Sequence, residues 1–156
     1  MSRRPAVKQL HLVSLSIWLT TAASTLGRAQ QAHNDTTAGA KIQAAEGAAR
    51  RWLALVDATA YEASWDSAAA MFRHQITREG WQDAVIAARL QVDPLGARRQ
   101  VGAQYTRELP NVPPGEYVLL QFSTAARDKT RVSETVVLTV DPDGTWRVAG
   151  YFIKPQ

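Results

Sequence analysis

The chain has no cysteine in its 156 residues. Its stability must therefore come from ordinary packing, and the lipid-bearing residue of a bacterial lipoprotein is missing. Histidine is nearly as scarce. Of the three, His11, His33 and His74, only His74 falls where a folded domain is expected, and one histidine without cysteine cannot build a zinc site of the usual kinds. There is no phosphate-binding glycine loop and no Gly-x-Ser-x-Gly nucleophile elbow. The first 29 residues contain no acidic residue. Arg3, Arg4 and Lys8 are followed by an apolar stretch from Leu12 to Leu26, too short and too rich in Ser and Thr for a membrane span. Gly27-Arg28-Ala29 then offers small residues for cleavage, so residues 1–29 read as an export signal.

The formal charge of +4 comes from that segment. Four of the 18 basic residues lie in it, and the remainder balance the 14 acidic ones. No basic stripe is left to suggest nucleic acid. The expected product is periplasmic or secreted and has no membrane span once the signal is cut. The start Ser2-Arg3-Arg4-Pro5-Ala6-Val7-Lys8 resembles a twin-arginine signal with Ala6 where an aromatic is usual. Adjacent arginines are common in general secretory signals, which is the preferred reading.

Gln30 to Gly39 is polar and without apolar period, which reads as a flexible lead-in to one domain over 40–156. Ile42, Ala45, Ala49, Trp52, Leu53 and Val56 recur at three- and four-residue steps and predict a first helix over about 40–58. Tyr61, Trp65, Ala68, Ala69 and Phe72 predict a second over 61–72. A third starts at Thr77 as N-cap, with Ile76 and Trp81 placed as a hydrophobic staple, and stops at Asp93-Pro94-Leu95-Gly96.

Beyond Gly96 the period becomes that of strands. Val101, Ala103 and Tyr105 suggest the first. Tyr117 to Thr124 is apolar on both sides at its start and so predicted central. Val132, Glu134, Val136, Leu138 and Val140 alternate with Ser133, Thr135, Val137 and Thr139, and a last strand covers Trp146 to Ile153. Asp141-Pro142-Asp143-Gly144 fits a type I turn followed by a left-handed glycine, the three-residue hairpin with a bulge. That register sets Val140 beside Trp146, Leu138 beside Val148, Val136 beside Gly150 and Glu134 beside Phe152. The expected fold class is α+β, with three N-terminal helices packed on a curved antiparallel sheet of about four strands.

Gly115-Glu116-Tyr117-Val118, Glu134-Thr135-Val136 and the run from Asp143-Gly144-Thr145-Trp146 to Lys154 resemble a family of secreted bacterial proteins known as domain of unknown function 4019. Trp52-Leu53, Tyr61, Ser64-Trp65, Trp81 and Pro94-Leu95-Gly96 fit the same pattern, so the resemblance covers roughly Ala49 to Lys154. It implies no activity, because no function or catalytic residue is established for that family. Helices on a curved sheet also resemble the nuclear-transport-factor-2-like (cystatin-like) arrangement, a likeness of architecture that hosts enzymes, carriers and dimerisation modules alike.

Among candidate chemistries, Ser64, Asp66 and His74 make a weak nucleophilic set, since helical spacing keeps Ser64 and His74 apart. Ser64 and Asp66 read better as polar positions beside a buried Trp65, and His74 as a helix-end residue. Asp141 and Asp143 belong to the turn, not to a calcium loop. Trp52, Trp65, Trp81 and Trp146 all fall on apolar faces and read as core rather than as a carbohydrate platform.

Glu134 is the residue of interest, because alternation points its carboxylate toward the core. Three readings stand open. It is an acid, base or ligand anchor in a pocket with Trp65, Phe122 and Phe152; or it is ion-paired to Arg89, Arg98 or Arg107; or it lies at the sheet rim. The opposite face, read as Thr135, Val137, Thr139, Arg147, Ala149, Tyr151 and Ile153, is apolar enough for a partner or a homodimer contact. A loop or the N-terminal segment could also cover it. The functional expectation is a binding or interaction module without cofactor, for a small ligand or a protein. The alternative is a small acid–base enzyme, of isomerase or dehydratase type, using Glu134 with a tyrosine.

Overall fold

The computed structural model describes residues 22–126 and 128–156, with side-chain surroundings from Asn34 onward. Residues 1–21, which hold most of the predicted export signal, lie outside the described residues. The chain divides into two units, Met1–Asp35 and Thr36–Gln156. Among the described residues no helix is long and apolar enough to cross a membrane.

Helix α1 (Ala22–Asp57) is continuous through Gln30–Gly39, where the sequence suggests a flexible lead-in. Once the amphipathic part is nucleated, each added residue gains a backbone hydrogen bond, so polar residues without proline extend it. From Ala45 the expected face is buried: Ala45, Ala49, Trp52, Leu53 and Val56 are all in the core. The helix closes on Thr59 in the left-handed region at φ 57°. There the Ala60 N–H donates to Leu55 O and the Thr59 N–H to Val56 O, the paired bonds of a Schellman ending.

The predicted second helix is two short ones, α2 (Tyr61–Asp66) and α3 (Ala70–Gln75). Between them the chain turns extended at Ala69, whose N–H donates to Val148 O over 2.8 Å. Arg73 takes up the freed Asp66 carbonyl. Apolar spacing survives the break, which is why periodicity alone reads one helix. Helix α4 (Arg78–Leu90) starts as expected, with Thr77 Oγ1 accepting the Gly80 N–H. Ile76 packs at the edge of the core beside it.

Strands β1 (Arg99–Thr106), β2 (Tyr117–Ala125), β3 (Arg131–Val140) and β4 (Trp146–Pro155) form an antiparallel meander in the order β1-β2-β3-β4. The fold is α+β, with the helices N-terminal to the sheet. Val118, Leu120, Phe122, Val136, Leu138 and Val148 share one core cluster with the buried faces of α1 and α4. The β3–β4 turn has the expected form: Gly144 N–H donates to Asp141 O, Asp141 N–H to Thr145 O, and Gly144 sits at φ 77°.

One expectation about the sheet is corrected. Val140 pairs with Trp146 and Leu138 with Val148 as predicted, but a bulge follows, and Val137 pairs with Gly150. The extra residue, Ala149, shifts the rest of β4 by one place. Because side chains alternate, such a slip exchanges the two faces. Val136 therefore pairs with Tyr151 rather than Gly150, and Glu134 with Ile153 rather than Phe152. Tyr151 and Ile153 join the helix-covered face, and Phe152 goes to the open one, 56% exposed. A second bulge lies between Gln100 and Gly102, and leaves Val101 half exposed.

Candidate functional site

The helix-covered face gathers four polar side chains around one buried carboxylate. Glu134 is wholly buried. The Arg98 Nε–H donates to its Oε2 over 2.5 Å and an Arg98 Nη2 hydrogen to Oε1 over 3.0 Å. Thr124 donates to Oε2 and Tyr151 to Oε1, over 3.2 and 2.6 Å. Arg89 Nη1 stands 3.7 Å from Oε1 and has no hydrogen-bond acceptor of its own. A carboxylate taken from water costs several kcal/mol unless its oxygens are satisfied, and this one is satisfied on both.

The two arginines carry the network outward. Arg98, from the segment before β1, also grips Asp57 at the end of α1 through both terminal nitrogens. Arg89, in the last turn of α4, bridges Asp57 and Asp93. Burial acts against charge on Asp57, Arg89 and Arg98. For Asp57 it is outweighed by Arg98 and Arg89, which hold its carboxyl below the usual carboxylate range. For Arg98 it is outweighed by Asp57 and Glu134, which raise it above its ordinary value. Tyr151 is pushed up, first by burial and then by the negative charge of Glu134. Of the open readings of Glu134, the structure gives the ion pair, with Arg98 and Arg89. Arg107 is not part of it: exposed, it lies 3.9 Å from Glu116.

The four residues proposed as a pocket do not converge. Phe122 pairs with Glu134 across β2 and β3 and is buried. Trp65 donates its indole N–H to Ile76 O and carries Arg78 over its ring, on the helical side. Phe152 is on the other face of the sheet. The sequence signal missed for this cluster is Tyr151, which meets both Glu134 and the aromatic group of Trp52 and Trp81, at 5.4 and 6.3 Å between ring centroids.

Nor do Ser64, Asp66 and His74 form a catalytic set. Ser64 is itself wholly buried and more enclosed than Trp65, accepting the Trp81 indole N–H and donating to Tyr61 O. Asp66 pairs with Arg78, and His74 is exposed in the last turn of α3. Asp141 and Asp143 hold Arg147, and among the described residues no cluster of acids or histidines is arranged for a metal.

The open face of the sheet offers different chemistry. Leu119 and Val137 lie on it, beside Gly150 and Phe152 of β4. The β1–β2 loop folds alongside, fixed by the Tyr117 hydroxyl donating to Pro113 O over 2.6 Å. Leu109, Pro110 and Val112 of this loop, with Met71 of α3, wall a hollow of about 260 Å³ whose floor is Leu119 and Val137. The loop thus covers part of the face and leaves a pocket in it. A groove of about 510 Å³ between α1 and the β3–β4 turn has Arg51, Trp146 and Arg147 in its lining, but Arg147 is already held by two aspartates.

The family described as "Protein of unknown function (DUF4019)" matches residues 48–151, from the C-terminal part of α1 into the first part of β4. No curated protein and no solved structure matches the chain.

Proposed function

The chain belongs to the DUF4019 family, and from that premise we propose that it is a binding module whose contact surface is the open face of its sheet. The observation that carries this is the exposed Phe152 beside the apolar hollow of Leu109, Pro110, Val112, Leu119 and Val137. A phenyl ring left in water beside apolar walls costs free energy that a partner would recover. The interior favours the same division of labour. Glu134 is wholly buried and bonded on both oxygens, so it acts as a clamp joining α1, α4, β3 and β4 rather than as a group that meets a substrate. Export to the periplasm or exterior and a nuclear-transport-factor-2-like architecture belong to the same proposal, and a homodimer through this face is the competing occupant.

The test is a selection of displayed random peptides on the immobilised full chain, repeated on Phe152→Ser and Leu109→Ser. Binders that lose at least about tenfold in affinity on either variant are expected, with thermal unfolding little changed. Binders indifferent to both substitutions would overturn the assignment of the face. Sedimentation of the free chain separates the homodimer, since self-association weakened by Phe152→Ser would place a second copy there.

A further inference from the structure

The open face is not uniform along its strands. At the turn end, Arg147 is neutralised by Asp141 and Asp143 over 3.0 and 2.7 Å. At the opposite end, register places Arg99, Ser123, Ser133 and Lys154 in one row across all four strands. Arg131 stands one row further out on β3, opposite Ala125. All three basic residues are exposed. Among the described residues every carboxylate in an ion pair is held by some other cation, so none of the three is neutralised. The two serines between them are half-buried and bring no opposing charge. The face therefore runs from an apolar hollow to a basic end.

We propose that the occupant of this face is an extended acidic segment of another polypeptide, seated with an apolar side chain in the hollow and carboxylates over Lys154 and Arg131. The proposal rests on the open face being the contact surface, and it adds the chemistry of the partner. Charge complementarity chooses the acid, because basic groups on a surface attract carboxylates and repel cationic chains. Strand geometry sets the spacing. Val137 in the floor of the hollow and Ser133 in the basic row are four residues apart on β3, which at strand rise is about 13 Å. Arg131 lies two residues beyond Ser133, so an extended partner lying along β3 and β4 needs its carboxylates about four and six residues from its apolar anchor. A second copy of this chain is the weaker occupant, since two such faces packed in parallel would set basic rows together.

Three labelled synthetic peptides test this on the full chain by fluorescence anisotropy. One carries leucine with aspartates four and six positions away, one replaces the aspartates by lysines, and one keeps the aspartates but replaces the leucine by serine. The first is expected to bind tightest and to weaken at about 0.3 M salt, where screening is strong. It should lose about tenfold or more on the double substitution Arg131→Glu with Lys154→Glu, which should in turn favour the lysine peptide. Equal binding of acidic and basic peptides, both weakened by Phe152→Ser, would overturn the acidic partner while leaving the face in place. Binding untouched by Phe152→Ser would remove the face itself. Self-association that excludes every peptide would assign the face to a second copy and overturn the proposal. Serine and glutamate replacements at exposed positions leave the core intact, and thermal unfolding of each variant confirms that it is folded.

Discussion

Tyr151 donates its phenolic hydrogen to Oε1 of Glu134 over 2.6 Å, from a strand position that plain alternation assigns to the other face of the sheet. The bulge at Ala149 makes the contact. It brings a hydroxyl to the one buried carboxylate of the sheet and carries Phe152 out to solvent in the same step. A single inserted residue therefore puts Tyr151 into the interior lock and Phe152 on the solvent-exposed face.

Replacing Glu134 by glutamine keeps the volume and one acceptor oxygen but removes the charge that Arg98 and Arg89 face. Breaking one side of a buried ion pair leaves an uncompensated charge, so Glu134→Gln is expected to cost about 3 kcal/mol in urea unfolding. Asp57 retains its grip on both arginines, so the variant should still fold. Unchanged stability would show that the arginines are satisfied without Glu134.

Tyr151 gives the lock a pH dependence. Burial, and then the charge of Glu134, raise its pKa in the folded state, whereas an unfolded tyrosine ionises near about 10. The folded form holds the proton longer, so this contribution to stability is complete below about pH 10 and drains away as pH rises above it. Tyr151→Phe should lack that alkaline loss, while costing about 1 kcal/mol at neutral pH for the missing hydrogen bond. Parallel unfolding curves of the two proteins across the alkaline range would count against the coupling.

How far the sequence reveals this arrangement depends on the kind of signal. Helical spacing places Ala45, Trp52, Val56, Trp81 and Val85 in the core, and the Asp-Pro-Asp-Gly turn sets the first two pairs of the last hairpin. The slip of register beyond those pairs is not visible to alternation, because Val148-Ala149-Gly150-Tyr151 reads smoothly either way. Gly150 was the available signal. A glycine inside a strand of larger residues marks a bulge or a close approach, and Gly102 marks the other bulge in the same way. At Gly102 an added Cβ would lie 2.9 Å from the Gln121 side chain. The buried position of Glu134 was legible from its strand, with Arg89 and Arg98 among the candidate partners. Choosing them over Arg107 required the third dimension, since Arg98 lies 36 residues from Glu134 in sequence.

Thr59 offers a gain in stability. It occupies the left-handed position that closes α1, at φ 57°, and its side chain is exposed. A β-branched residue there carries strain that glycine does not, of order 1 kcal/mol or more. The Thr59 hydroxyl bonds only to the neighbouring Ala58 O. Thr59→Gly is therefore expected to raise stability by about 0.5–1 kcal/mol after the added freedom of the unfolded chain is counted. A loss of stability would mean that the local hydroxyl bond outweighs the strain.

Ser64 provides the last test, because it joins two tryptophans that share no other polar partner. Its hydroxyl accepts the Trp81 indole N–H over 2.9 Å, and its carbonyl accepts that of Trp52 over 2.8 Å. Ser64→Ala removes only the first acceptor. Trp81 is 5% exposed, too little for water to replace the bond, so an unsatisfied donor should cost about 1–3 kcal/mol. Trp81→Phe removes the donor as well as part of the ring, at a larger cost of about 3 kcal/mol or more. If the hydrogen bond is the reason serine stands here, the double substitution should cost less than the two single costs together by about 1 kcal/mol. Additive costs would show instead that Ser64 fills space in the aromatic cluster and that its hydroxyl contributes nothing to Trp81.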